Sequence, residues 1–368
     1  MRVLVCTVVH HPEDARILHR QIRALLDAGH EVVYAAPFTD CRVTPWSEVT
    51  PVDLPRSADR RRARALRAAR RALNRHAGDA DLMLLHDPEL LLTLPLTRRL
   101  PPVAWDVHED TAAALVTKDW IPRPLRRALG PLVRAAEALA ERRLHLLLAE
   151  EGYQERFRRP HPVVPNSTYV PDQVSPPGET RVVYVGQLSR VRGVHEMIDL
   201  AGKLRERDLV VELVGTADPE TRGLLGRANL GGVLRWHGFV PNDQAMRLVE
   251  GSLAGLSLLH DAANYRHSQP TKIIEYMARG IPIVTTPNPV AAGIVLAREC
   301  GFVVPFGDTD AAAEAILRLR DDPALRTEMG GRGHRAAQEL FSWPHDAVTF
   351  VKQLEEWANT PRPASQSR

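Results

Sequence analysis

The stretch Gln269-Pro270-Thr271-Lys272-Ile273-Ile274-Glu275-Tyr276-Met277-Ala278-Arg279-Gly280-Ile281-Pro282-Ile283-Val284 decides the fold class. Pro270 suits the first turn of a helix, where its missing N–H costs nothing. Ile273, Ile274 and Met277 supply one apolar side and Gly280 stops the helix. After Pro282, Ile283-Val284-Thr285-Thr286 reads as the next strand. The helix mouth offers two kinds of chemistry. Its first amides, near Thr271 and Lys272, lack an intrahelical acceptor and can hold an anion. Glu275, one turn further in, can accept hydrogen bonds from hydroxyls. The competing reading is an ordinary surface helix with a solvated Lys272 and Glu275.

The same strand–helix alternation begins at the amino terminus. Val3 to Val9 is a nearly continuous apolar run, as expected of a strand buried on both faces. His10-His11-Pro12-Glu13-Asp14 leads into a helix with Ile17, Ile22, Leu25 and Leu26 facing the sheet; Gly29 ends it, and Glu31 to Ala36 is the next strand. This β-α-β opening lacks the glycine-rich dinucleotide fingerprint. Asp14 and Arg16 read either as a cap and a surface charge or, with His11, as the border of a cleft. Two further strands end in compact clusters, Asp81–Leu85 in His86-Asp87-Pro88-Glu89 and Val103–Val107 in His108-Glu109-Asp110. Both loops should line the sheet edge where open α/β folds bind ligands. His10, His11, His86 and His108 raise the question of zinc, but no HExxH helix or cysteine pair accompanies them, so no metal is expected. Trp120 lies in the stretch 111–124, a candidate acceptor pocket.

Composition narrows the class. At 368 residues the chain fits two domains, and 44% hydrophobic content is typical of a globular protein. A net charge of +3 is too small to argue for nucleic acid. Three cysteines, Cys6, Cys41 and Cys300, make no disulfide framework and fit a reduced, cytoplasmic setting. The start resembles a signal sequence until His10, His11, Glu13 and Asp14 interrupt it. No run approaches the roughly 18 apolar residues of a membrane span. Arg56 through Arg75 is strongly basic around Leu66 and Leu73. It reads as a solvated helix or as a weak peripheral contact with the inner face of a membrane.

The alternation restarts at Arg181–Gly186, followed by Gln187-Leu188-Ser189-Arg190-Val191-Arg192-Gly193 and a helix. Taken alone, the Arg190–Gly193 run is compatible with plain surface arginines at a turn. Between the halves, Pro171, Pro176, Pro177 and Gly178 disfavour regular structure, which puts a hinge at 169–179.

In order along the chain, His108, the Arg190–Gly193 loop and Pro270–Pro282 resemble the large retaining glycosyltransferase family 4, which includes sucrose synthases and bacterial mannosyltransferases. The resemblance covers nearly the whole chain. It implies an α/β GT-B architecture, two Rossmann-like domains facing an inter-domain cleft. Residues 1–170 would bind the acceptor and 171–345 the nucleotide sugar, with a helix at 346–360 crossing back to the first domain. Arg190, Arg192 and Lys272 would hold the donor diphosphate and Glu275 the ribose. Ser268, Gln269, Pro270 and Thr271 would form the sugar or phosphate loop. His108 would be the catalytic histidine, although the residues alone equally allow a donor that orients its loop. His11, Asp14, Arg16, His86, Asp87, Glu109 and Trp120 would border the acceptor side. Two departures stand out. Gln187 occupies the first position of the expected basic pair, and His267 the place of an acidic residue upstream of Glu275.

The implied activity is transfer of a sugar from a nucleotide-sugar donor to a hydroxyl-bearing acceptor, with retention and without cofactor. The alternatives are a sugar-nucleotide 2-epimerase and a non-catalytic nucleotide-sugar sensor. Base, sugar, acceptor and oligomeric state are not readable from the sequence.

Overall fold

A computed structural model of the protein describes residues 1–58, 61–96, 100–108, 123–262, 265–266 and 268–359. The chain divides into two compact units, Met1–Pro165 with the segment from Pro344 onward, and Asn166–Trp343.

The first unit is built on a six-stranded sheet: β1 Arg2–Cys6, β2 Glu31–Ala36, β3 Thr50–Asp53, β4 Leu82–Leu85, β5 Val103–Val107 and β6 His145–Leu148. All neighbours are parallel and the order is β3-β2-β1-β4-β5-β6. Helices cover both faces of such a sheet, which is why β1 and β4 read as apolar runs and β5 as one broken only by Asp106. The expected strand Val3–Val9 stops at Cys6 because the amides of Val8 and Val9 turn to the Asp87 carboxylate instead of a strand neighbour. β3 carries no such apolar run. It is an outer strand and accommodates Pro51, which has no N–H to give.

The first helix opens as a π-helix over Ala15–Ile22 and tightens to α over Arg23–Asp27. Asp14 caps it, accepting from the amides of Arg16 (2.9 Å) and Ile17 (3.1 Å). The wide turn buries Arg16 and Gln21 along with Ile17 and Ile22, so polar groups as well as apolar ones face inward. π-helical turns often occur at functional sites. The basic helix spans Arg62–His76, starting later than its charge pattern suggests. Ala65, Ala69, Ala72 and Leu73 bury its stripe, while Arg62, Arg64, Arg67, Arg70, Arg71 and Arg75 are exposed.

The second unit repeats the plan with β7 Arg181–Val185, β8 Val210–Val214, β9 Arg235–Trp236, β10 Ala254–Ser257, β11 Ile283–Thr285 and β12 Gly301–Val303. Its order, β12-β11-β10-β7-β8-β9, is that of the first sheet once each set is numbered from its own start. This is the doubly wound order whose reversal points lie between β1 and β4 and between β7 and β10. Tyr184, Met197, Leu213 and Leu256 are central to its core.

The division between units falls at Pro165, ahead of the proline-rich stretch 169–179. Thr168 already belongs to the second unit, since its amide donates to Phe341 and its carbonyl accepts from Trp343. The final helix, Trp343–Asn359, is anchored in the first unit: His30 Nε2 lies 2.9 Å from Glu355, and Trp357 stacks on His145.

Candidate functional site

The reversal point of the first sheet gathers the ends of β1, β4 and β5. Asp106, fully buried at the end of β5, accepts both arms of the Arg16 guanidinium at 2.7 Å and the Gln21 amide at 3.1 Å. Arg16 also donates to the carbonyl of Val164 at 3.0 Å. Burial alone would raise the Asp106 carboxyl; Arg16 outweighs it and holds the group well below the usual range. Asp87, after β4, is equally buried. It accepts from the Thr7 hydroxyl at 3.0 Å, from the amides of Val8 and Val9, and lies 2.7 Å from His10 Nδ1. Burial pushes its carboxyl up and these contacts bring it down further.

His108 stands between these carboxylates. Its Nδ1 lies 3.0 Å from the Asp106 carbonyl and 3.3 Å from the Asp106 carboxylate. Its Nε2 lies 3.0 Å from Nε2 of His10. His86 is fully buried beside them with Nδ1 3.2 Å from Asp106, yet neither ring nitrogen makes an aligned hydrogen bond. Burial lowers its pKa, and Asp106 opposes that only in part.

Three of these residues, His86, Asp106 and His108, place potential ligand atoms within 4.8 Å of one another. Both Asp106 oxygens already accept from Arg16, so a divalent cation there would have to displace a guanidinium from its counter-ion. The donor set fits an internal charge network better than a metal centre.

The second sheet's reversal point is built differently. Arg190–Arg192 forms a single tight turn closed by Gly193. At φ +82° Gly193 sits against the Leu258 carbonyl, 2.2 Å from where a Cβ would be, so only glycine fits. The His260 amide donates to Val191 at 3.0 Å and ties the loop after β10 to this turn. Lys272, on the first turn of the helix Thr271–Ala278, is buried; its side chain passes Gly186 and its Nζ lies 5.1 Å from the Tyr184 ring centroid. Burial, with Arg192 nearby, pulls its pKa down to about 7 against the opposing pull of Glu275. Glu275 is buried and accepts from the Asn242 amide at 3.0 Å. The Tyr184 hydroxyl donates to the Gln187 carbonyl at 2.7 Å, and burial pushes its phenol up to about 12.

The structure therefore brings Arg192, Lys272 and Glu275 to one sheet edge, with Pro270 as N-cap and Ser268 and Gln269 half-buried before it. It gives a different standing to the acceptor-side candidates. Arg16, His86 and Asp87 are buried and taken up by the network rather than bordering open space. Asp14 is a cap. His11 Nδ1 accepts from the Glu13 amide at 3.2 Å, and its pKa is lowered by burial and by Arg56. Glu109, Trp120 and His267 lie outside the described residues. Sequence reasoning left Asn242 and Gln21 without a role and offered Asp106 only as a residue the His108 ring could hold, not as the partner of Arg16. Their partners are distant in sequence, and an asparagine opening a helix carries no local signal. His10 was visible only as one histidine of a pair.

The fold is that of the GT-B glycosyltransferases, two doubly wound parallel sheets of six strands each. The protein is similar to a sucrose-phosphate synthase from Thermosynechococcus elongatus, with a TM-score of 0.74 at 19% identity over 96% of this chain and 98% of that one. It is also similar to HepE of Anabaena in complex with UDP-glucose, with a TM-score of 0.69 at 13% identity over 97% and 100%. Residues 167–336 match the family Glycosyl transferases group 1. Among curated relatives, the capsular polysaccharide biosynthesis glycosyltransferase CapM of Staphylococcus aureus is 25% identical over 182 residues, 48% of this chain and 45% of CapM. The chain spans less than half the length of the curated relatives it matches.

Proposed function

We propose that the protein transfers a sugar from a nucleotide-sugar donor to a hydroxyl of an acceptor, with retention of configuration, as family 4 enzymes do. The observation that carries this reading is the cationic helix mouth of the second unit, where Lys272 and Arg192 lie beside the first amides of Thr271–Ala278. That mouth falls within the segment matching the group 1 family. A diphosphate is the ligand such a site suits: it restores the charge on Lys272 and accepts from free amides. Glu275, held by Asn242, would accept from the ribose hydroxyls.

In this reading the second unit binds the donor, and the first supplies His108 and the acceptor surface. Retention follows from attack on the face the diphosphate leaves, with the departing phosphate taking the acceptor proton. Charge then develops on the leaving group, and Arg192, Lys272 and the helix amides stabilise it there. No metal or cofactor takes part. A weak contact of the exposed arginines of Arg62–His76 with anionic lipid belongs to the same proposal, supported by their density on one helix. The unpaired thiols Cys6, Cys41 and Cys300 suit a reducing compartment.

The test is calorimetric binding of UDP-, GDP- and dTDP-sugars, followed by mass spectrometry of products with candidate acceptors. UDP-glucose comes first because HepE binds it. Transfer to an acceptor is the expected result. Conversion of the donor sugar without acceptor would identify an epimerase, and binding without turnover a sensor.

A further inference from the structure

We infer that His10 and His108 share one proton across their facing Nε2 atoms, so that the two rings hold three protons and one positive charge between them. The count comes from the neighbours. His10 Nδ1 lies 2.7 Å from a carboxylate oxygen of Asp87, which already accepts from Thr7, Val8 and Val9; that nitrogen must carry a proton to donate. His108 Nδ1 meets only acceptors, the Asp106 carbonyl at 3.0 Å and its carboxylate at 3.3 Å, so it too must carry a proton. Two neutral rings would then point bare lone pairs at each other across 3.0 Å. A third proton between them turns that repulsion into a charge-assisted hydrogen bond.

The surroundings favour the extra charge. Asp14 at the helix cap, Asp87 after β4 and Asp106 at the end of β5 are carboxylates held below their usual range, and Arg16 is the one guanidinium named among them. Asp14 is drawn down by the field of both histidines. Among the described residues, His86 is kept neutral by burial, and burial raises the Cys6 thiol and the Tyr34 phenol. Tyr153 offers only its hydroxyl, 3.5 Å from the His108 carbonyl. A neutral histidine pair would leave the carboxylate excess less compensated in a poorly solvated site.

His10 is therefore a positioning residue for His108, fixing its ring and its charge through Asp87. This second step rests on the function proposed above; the proton count does not. The experiment is nitrogen-15 NMR of the imidazoles in the full-length protein across a pH series. Three nitrogen-bound protons on the pair at neutral pH, lost first as a single shared event, is the expected result. Two neutral rings with one N–H each would overturn the inference. His10→Phe should leave His108 with a single nitrogen-bound proton, on Nδ1, in the same spectra at neutral pH. His10→Gln, which keeps an amide donor near the Nε2 position, should recover part of the single-turnover transfer rate lost in His10→Phe, with nucleotide affinity unchanged in both. Equal rates in wild type and His10→Phe would remove the positioning role. Should the wild type bind no nucleotide sugar, the functional reading fails, and the wild-type spectra still decide the proton count.

Discussion

At the reversal point of the first sheet, charge is consumed internally: Asp106 is saturated by Arg16 and Gln21, and Asp87 by Thr7, two amides and His10. At the matching point of the second sheet, Lys272 is buried without an ion pair among the described residues, at a cost visible in its pKa of about 7. The strand order is the same and the electrostatic outcome opposite. A scaffold of this kind fixes where a site forms, while loop residues decide whether it is complete alone or awaits a charged ligand. The first edge is organised before any substrate arrives. The second has a deficit that an anion would fill.

The strongest way to break this contrast is to act on His108. His108→Ala should slow single-turnover transfer by on the order of 100-fold or more at saturating donor and acceptor, with nucleotide affinity unchanged. Wild-type rates would remove His108 from the chemistry, and a joint loss of rate, affinity and thermal stability would make it a structural ring. Asp106→Asn tests the internal pairing. It strands Arg16 and should cost about 3–5 kcal/mol of stability, read by denaturant unfolding, without weakening nucleotide binding.

The second edge should respond in reverse. Arg192→Ala should weaken nucleotide-diphosphate binding by about 1.5–3 kcal/mol in calorimetry and leave the melting temperature unchanged. Lys272→Met should weaken binding too, yet raise the melting temperature of the ligand-free protein. The sign follows from linkage. Between pH about 7 and 10.5 the unfolded chain holds a proton on Lys272 that the folded one has lost, so this group's contribution makes folding less favourable as pH falls through that window. A diphosphate should reverse the shift, and calorimetry at pH ~8 in buffers of different ionisation enthalpy should show proton uptake on binding, absent in Lys272→Met. The smallest effect belongs to Glu275→Gln, which loses one acceptor face. We expect about 0.5–1.5 kcal/mol of nucleotide affinity and little change in stability. Unchanged affinity would take Glu275 out of the site.

Much of this was legible along the chain because the signals are local. Nearly continuous apolar runs gave β1, β4, β5, β7 and β8, since a strand covered on both faces has few polar positions; Asp106 in β5 and Glu212 in β8 are exceptions. The helix Thr271–Ala278, its proline entry and its glycine exit could be read from neighbouring residues, as could the arginine turn before Gly193. β3 and the short helix Phe38–Cys41 left no trace because they sit at an outer position with little periodic apolar content.

Tertiary structure decided what those residues do with their charges. Arg16 and Asp106 are separated by the whole of β2, β3 and β4, and only sheet order brings the guanidinium of one to the carboxylate of the other. The same holds for His10 against His108, and for Asn242 against Glu275. Sequence determined which residue types stand at the ends of the strands, because strand ends follow from local pattern. Whether a carboxylate there is spent on an arginine, or a lysine is left to await an anion, depends on burial and on partners far away in the chain, and those are fixed only when the sheet is assembled.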